Sequence, residues 1–291
     1  MNIHEIKLSI FRGGVKLFSV HREHKIGKLY PVRVVYEFII SHLKSSKNVA
    51  LVQGHKMFLD PGDQYALSVW GVWEALTTGQ FKKEIKKGDV VLDVGAGIGY
   101  YTLIAANLVG ETGRVYAFEP DPDFFGLLKK NIEINGYKNV ILEQKAVSDK
   151  TGKNKSYLCK DEHRIHDSPD ACHKFIEIES IRLDDYFKNY DGKINFIKMD
   201  IEGAEIKAIQ GAPLLLQKNK NLKIITEFWP MGLIKFGIEP KEYINLLIDH
   251  GFKLYEINAQ EKKIEPVEIA KLVETYTPEK VYSTNLLCIR D

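Results

Sequence analysis

From residue 89 onward the chain alternates short apolar runs with stretches of helical period. The apolar runs fall at 90–94, 114–118, 140–147, 195–199, 223–227, 253–257 and 285–290. Most are nearly continuous rather than alternating, as expected of strands covered on both faces. Helical patterns at 101–109, 123–135, 205–210 and 240–250 separate them. Strand, helix and strand in this order make βαβ units and a mainly parallel sheet. The punctuation agrees: Asp121-Pro122 supplies a capping side chain followed by proline at the first helical position, and Asn135-Gly136 and Gly211 stand where helices should stop. Residues 259–281 are charged and irregular, so the last two strands are expected to pair antiparallel. The predicted fold class is α/β: a doubly wound, mainly parallel sheet of seven strands, Rossmann-like.

The first 85 residues read differently. They hold an apolar helix at 31–43, two short β-type runs at 49–53 and 56–59 split by Gly54-His55, and a helical stretch at 64–76 after the Asp60-Pro61-Gly62 turn. This is too little for an independent domain. The expectation is an N-terminal α/β extension, 1–85, that packs on a binding domain, 86–291, or serves a homodimer. Tyr65, Trp70 and Trp73 at helical spacing read as core.

Composition narrows the partners. The chain has 291 residues, 44% hydrophobic, enough for one large core, and Lys+Arg 41 against Asp+Glu 39 leaves a formal charge of +2. A nucleic acid partner, whose binding is driven by phosphate neutralisation, is not expected. Cys159, Cys172 and Cys288 are too few and too irregular for a disulfide framework. The opening MNIHEIKLSIFRGG lacks the apolar region of a signal peptide. No apolar run approaches the roughly 20 residues that span a bilayer. A cytoplasmic protein without a transmembrane segment is expected.

The chemistry concentrates in GDVVLDVGAGIGYY. A strand ends at Asp93-Val94, glycines follow at Gly95, Gly97 and Gly99, and a helix begins near Tyr101. Such a turn lets a ligand approach backbone N–H groups at a helix N-terminus. A dinucleotide fingerprint would need glycine at 100, where Tyr100 stands. Asp93 would repel a pyrophosphate but suits an ammonium group, which favours S-adenosylmethionine over NAD. Glu119 ends the second strand twenty-two residues after Gly97, the distance at which a carboxylate takes ribose hydroxyls. The candidate cofactor residues are therefore Asp93, Gly95, Ala96, Gly97, Gly99, Tyr100, Tyr101 and Thr102 at the turn, and Glu119, Pro120 and Asp121 after the second strand. Gln144 and Ala146, with Asp149 nearby, are candidates for the adenine, Asp200 for the methionine end, and Glu74 for the ammonium.

In order, the segments LDVGAGIGYYTLIAA, FEPDPDFFGLLKKNIEINGYKNV, AVSDKTG, LDDYF and IKMDIEGAE resemble the FkbM-family methyltransferases, over roughly residues 52–228 and including MFLDPGD. The resemblance implies a class I methyltransferase fold that uses S-adenosylmethionine and methylates hydroxyl oxygens of sugars, glycans or small metabolites. It also implies Asp93, Gly95, Gly97 and Glu119 as cofactor contacts, with Asp200 and Glu202 at the active-site rim. Beyond Trp229 the likeness fades.

Asp200 and Glu202 follow the fourth strand, at the edge where open α/β sheets bind ligands. In an extended stretch both would point to one side, and mutual repulsion would raise one pKa. Glu202 is expected as base or acceptor orienter, with Asp200 near the cofactor. Two alternatives stand beside this: Glu202 caps the following helix, with Gly203 permitting the turn, or the Asp-x-Glu pair offers oxygen ligands to Mg²⁺. Glu227 is a further rim carboxylate that meets the acceptor or pairs with a lysine. The stretch holding Cys159, His163, His166, Cys172 and His173 fits no usual zinc spacing and reads as a substrate-side loop or hairpin, with His166 a candidate base. The expected activity is O-methylation of a small-molecule or carbohydrate acceptor. Methylation of protein or RNA, a non-catalytic cofactor-binding module, and NAD-dependent oxidoreduction are the alternatives.

Overall fold

The computed structural model describes residues 49–63, 65–158, 165–166, 174–279 and 282–290; the helix expected at 31–43 lies outside them. By contact the chain forms two units, one ending at Ala75 and one running Leu76–Asp291. In the first, β1 (Val49–Val52) and β2 (His55–Phe58) pair antiparallel. Gln53 and Gly54 both take positive φ, 50° and 86°, the two-residue turn whose twist suits a hairpin. Buried Asp63 then accepts hydrogen bonds from the Leu67 and Ser68 N–H groups, at 2.7 and 3.0 Å, and so starts α1 (Leu67–Trp70).

That helix lasts one turn. Gly71 and Glu74 take φ of 67° and 42°, so the expected continuous helix over 64–76 is broken twice and Glu74 is not helical. Tyr65 is 40% exposed, edge-on to Trp73 with ring centroids 4.4 Å apart, rather than in the core.

The second unit takes all but the first residue of α2 (Ala75–Glu84), followed by β3 (Val90–Val94), α3 (Tyr100–Val109), β4 (Arg114–Phe118), α4 (Pro122–Asn135) and β5 (Val140–Glu143). Next come β6 (Ala146–Val147), β7 (Gly152–Leu158), β8 (Ile165–His166) and β9 (Lys174–Ile181). After them run α5 (Leu183–Tyr186), β10 (Phe196–Met199), α6 (Glu205–Gln210), α7 (Pro213–Lys218) and β11 (Lys223–Phe228). The chain finishes with α8 (Pro230–Lys235), α9 (Pro240–Asp249), β12 (Lys253–Asn258), β13 (Lys263–Pro266), α10 (Ile269–Thr275) and β14 (Thr284–Ile289).

The main sheet has the order β13-β12-β14-β11-β10-β3-β4-β5. Strands β5, β4, β3, β10 and β11 are parallel, and β14 runs antiparallel to β11 and β12. The fold is the expected α/β class with the expected antiparallel closing pair. It carries eight strands rather than seven, because β13 and α10 occupy the stretch read as irregular. The charges that hid β13 are those of an edge strand: Lys263 pairs with Glu261 and Glu265.

A second correction concerns 140–147. The run is not one strand: β5 stops at Glu143, and β6 joins a separate sheet of order β6-β9-β7-β8. There β7 and β9 pair antiparallel from Gly152↔Ser180 to Leu158↔Lys174.

Both faces of the main sheet are covered. Leu92, Val94, Ile197, Met199 and Ile224 pack with Ile206 and Ile209 of α6, Leu216 of α7 and Tyr243 and Leu247 of α9. Burying one such side chain is worth about 1.5–3 kcal/mol. On the other face Phe81 of α2 meets Phe196 and Tyr101, at 5.3 and 4.9 Å between centroids. Among the described residues no helix is long and apolar enough to cross a membrane.

Strand order reverses between β3, which leads to β4 on one side, and β10 on the other. Ligands of open α/β sheets bind outside the carboxyl ends of the strands at this point. One polar contact ties the helices behind it: buried Asp184 of α5 accepts the Leu214 and Leu215 N–H groups of α7, at 3.1 and 2.8 Å. Asp184→Ala leaves those N–H groups without an acceptor and is expected to lower stability by about 1–2 kcal/mol, read as an earlier urea midpoint at unchanged slope.

Candidate functional site

The turn after β3 is fixed from below. Gly95 and Ala96 each donate an N–H to the Phe118 carbonyl at 3.0 Å, which ties the turn to the end of β4. Gly95 takes φ 82°, and a Cβ there would stand 2.0 Å from the Asp200 carbonyl oxygen. Its glycine is thus required by the close approach of the β3 and β10 ends. Gly97 is different: at φ 54° a Cβ would meet nothing within 4 Å, so the backbone here is bare toward a ligand.

Two buried carboxylates flank the turn. Glu119 accepts the Gly97 N–H at 2.7 Å through Oε2 and the Asp121 N–H at 2.9 Å through Oε1. Burial pushes it up to about 7, against the pull of those two N–H groups. Asp93, 1% exposed, accepts the Thr102 hydroxyl at 2.5 Å. Burial pushes it up to about 6, the Thr102 bond and the Lys198 charge pulling the other way.

The remaining predicted cofactor residues fall into distinct places. Asp121 uses Oδ1 to cap α4 through the Asp123 and Phe124 N–H groups, at 2.8 and 2.9 Å, while Pro120 beside it is half-buried. Gly99 opens α3 with no side-chain cap, so the first-turn N–H groups keep their partial positive charge. The rings of Tyr100 and Tyr101 are buried in packing, their hydroxyls 3.1 and 3.5 Å from the Thr78 hydroxyl. Gln144 is exposed just past β5, and Ala146 pairs with Ser180 in the second sheet. Glu74 belongs to the smaller unit.

Sequence reasoning passed over Lys198. It is 1% exposed in β10, its Nζ 3.1 Å from Asp200 Oδ2 and 5.0 Å from the centre of the Tyr101 ring. In register Lys198 lies beside Asp93 and Ile225, so Asp93 and Lys198 share one sheet face. The signal was present in INFIKM: a lysine inside an apolar strand two residues before an aspartate.

The β10 and β11 ends form an acidic edge. The expectation that Asp200 and Glu202 share one side of an extended stretch is corrected, because Glu202 takes φ 57° in a turn with Gly203. Nor does Glu202 cap α6, which has no side-chain cap. Buried Glu205 secures that turn, its Oε1 accepting the Ile201 N–H at 2.9 Å. Burial pushes Glu205 up to about 8, with Asp200 and Glu202 adding to the rise.

Glu227 follows the Met199–Thr226 pair on β11 and so stands beside Asp200. Its Oε2 is shut off from solvent with no hydrogen-bond partner. Burial, then the charges of Asp200, Glu202 and Glu205, raise it well above the usual carboxylate range. Among the described residues no lysine pairs with it, and no group of three or more His, Cys, Asp or Glu is arranged to hold a metal. The backbone of His166 forms β8 opposite Tyr157; its side chain, with Cys159, His163, Cys172 and His173, lies outside the described residues.

A bare glycine backbone, an uncapped helix start and two buried carboxylates at a switch point suit a nucleoside that carries positive charge. Glu119 has lone pairs to spare for ribose hydroxyls after its two backbone bonds. The class so defined is the methyltransferases that depend on S-adenosylmethionine. Within it the chain belongs to the FkbM family: the family model described as Methyltransferase FkbM domain matches residues 93–254, more than half of the chain.

Among similar proteins, the protein-L-isoaspartate O-methyltransferase of Methanococcoides burtonii is 40% identical over 57 residues, 20% of this chain and 28% of that one. The matched stretch thus spans less than a third of the relative's length. Fibrillarin from Aeropyrum pernix, solved with natively bound S-adenosyl-L-methionine, has a TM-score of 0.44 at 13% identity, covering 82% of this chain and 84% of that one. The precorrin-6y C5,15-methyltransferase of Geobacter metallireducens has a TM-score of 0.43 at 14% identity, covering 75% and 88%.

Two outcomes follow from these charges. Glu119 and Asp93 bind protons more tightly folded than unfolded, so each lowers the stability of the free protein as pH rises from its ordinary to its raised value. A cationic ligand needs them ionised. Affinity for S-adenosylhomocysteine, which keeps the ammonium and the ribose, is therefore expected to rise from pH 5.5 to pH 8 by about tenfold or more; a flat calorimetric profile would contradict this. Lys198→Met leaves buried Asp93 and half-buried Asp200 short of a counter-charge. It is expected to cost about 3–5 kcal/mol of unfolding free energy, measured by chemical denaturation at pH 7.5.

Proposed function

We propose that this methyltransferase acts on a hydroxyl oxygen of a sugar, glycan or small metabolite. The observation that carries the reading is the acidic edge of Asp200, Glu202 and Glu227 beside the glycine turn. In the proposal Asp93, the Gly97 backbone, Glu119 and the start of α3 hold the cofactor, with the Ala146 backbone toward the adenine. The cofactor supplies an electrophilic methyl group on a sulfonium. What the chain supplies is alignment, worth up to about 10⁵–10⁸ M in effective molarity, and a place for the hydroxyl proton. Asp200, steadied by Lys198 at 3.1 Å, orients the acceptor; Glu202, on its strained turn, reaches from the same edge.

The charge of that edge supports this reading over its rivals. RNA binding rests on phosphate neutralisation, and carboxylates would repel phosphate. An isoaspartyl acceptor, the substrate named for the Methanococcoides relative, is itself a carboxylate and would meet the same repulsion. Neutral polyols, rich in hydrogen-bond donors, match an edge rich in acceptors.

The test is transfer from radiolabelled S-adenosylmethionine to methyl hexopyranosides, glycerol and hydroxylated aromatics, with products identified by mass. Methylation of at least one hydroxyl probe is expected, and Asp200→Asn, by loosening the acceptor's alignment, should reduce turnover by about 10²-fold. Protein that binds S-adenosylhomocysteine, ignores every hydroxyl probe and methylates a protein or RNA would refute the proposal.

A further inference from the structure

Glu227 is set apart from the other acids of the edge by its surroundings. Thr226 before it turns to the opposite face, where its hydroxyl lies 2.7 Å from that of Tyr243. Phe228 after it is fully buried, and Asn285 stands across from it on β14. The charged groups that act on it are Asp200, Glu202 and Glu205, all of its own sign; the nearby Ser283 hydroxyl pulls the other way more weakly, and Tyr243 senses its charge. Lys198 is engaged with Asp200.

The other acids are spoken for. Asp200 holds Lys198, Glu205 holds the Ile201 N–H, and Glu119 and Asp93 hold the turn. Glu227 alone of these keeps an oxygen, Oε2, sealed from water and without a donor. A buried acceptor left unmet in a folded protein calls for an explanation. Its place at the carboxyl end of β11, beside the switch point, supplies one: the missing donor arrives with the acceptor substrate.

We propose that Glu227 is a catalytic residue whose Oε2 receives the hydrogen bond of the acceptor hydroxyl and takes its proton during methyl transfer. This rests on the O-methylation reading above. The O–H bond breaks and its proton goes to Oε2, while the freed oxygen pair forms the new C–O bond to the methyl carbon. The C–S bond breaks with its electrons left on sulfur. A sulfonium cation, a hydroxyl and a carboxylate thus become a neutral thioether, a methyl ether and a carboxylic acid, which returns its proton to water. Burial and like charge raise the proton affinity of Glu227, bringing it toward the range in which a base works at neutral pH. A cation entering beside Asp93 favours the ionised form, so the base would be readied by cofactor binding.

The experiment compares wild type with Glu227→Gln and Glu227→Asp. S-adenosylhomocysteine affinity by calorimetry should be unchanged in Glu227→Gln, whereas Glu119→Gln should weaken it. A ¹³C-carboxyl titration, assigned by the signal that Glu227→Gln removes, should place Glu227 above the ordinary glutamate value of about 4.3. With a methyl hexopyranoside as acceptor, Glu227→Gln should lower kcat by about 10²–10⁴-fold with little change in KM and abolish the acidic limb of the pH profile. Glu227→Asp should restore part of the rate. Titration in the ordinary range, loss of cofactor affinity, or wild-type turnover in Glu227→Gln would each overturn the inference and leave O-methylation standing. Wild-type protein that binds S-adenosylhomocysteine but methylates no hydroxyl probe would remove both.

Discussion

The ammonium of Lys198 is the charge around which the site is organised. It is buried in a strand whose other residues are apolar, a position costly for a lone cation. It is sustained because Asp200 pairs with it at 3.1 Å and Asp93 lies alongside on β3. The arrangement works in both directions: without the lysine, buried Asp93 and half-buried Asp200 would have nothing of opposite sign between them. Lys198 thus lets the β3 and β10 ends be acidic while Gly95 brings them into backbone contact.

That compensation is incomplete. One cation faces Asp93 and Asp200, and it leaves Glu119, Glu205 and Glu227 with proton affinities raised by burial. Perturbed groups of this kind gather where ligands bind. A site that is short of positive charge when empty has free energy to gain from a ligand that carries it.

Much of this was legible in the sequence. The glycine turn, the spacing to Glu119, the Asp121-Pro122 helix start and seven strands of the main sheet follow from apolar runs and turn chemistry. What escaped has particular causes. Residues 140–147 read as one run, yet Glu143, Gln144 and Lys145 interrupt its apolar residues where β5 stops and the chain passes to the second sheet. Edge strand β13 hides behind Lys263 and Glu265, charged as edge strands often are. Glu202 adopts a left-handed backbone that a non-glycine residue does not announce, so its alignment with Asp200 could not be read from period two. Lys198 was visible only as a polar residue out of place, and Glu227 was legible as a rim carboxylate but not as one with an unmet oxygen.

The second sheet leaves the main one through a narrow base. At that base Ala146-Val147 pairs with Ser180-Ile181, and the Ser180 hydroxyl donates to the Lys150 carbonyl at 2.8 Å. A Cβ on Gly211 would lie 2.1 Å from the Ser148 carbonyl, so this base is wedged against the end of α6. Everything beyond it, β7, β8 and most of β9, is an outgrowth clamped at its root. Glu119 and Asp93 hold Gly97, Asp121 and Thr102 rather than any described residue of this hairpin, so its length can vary without loosening the glycine turn.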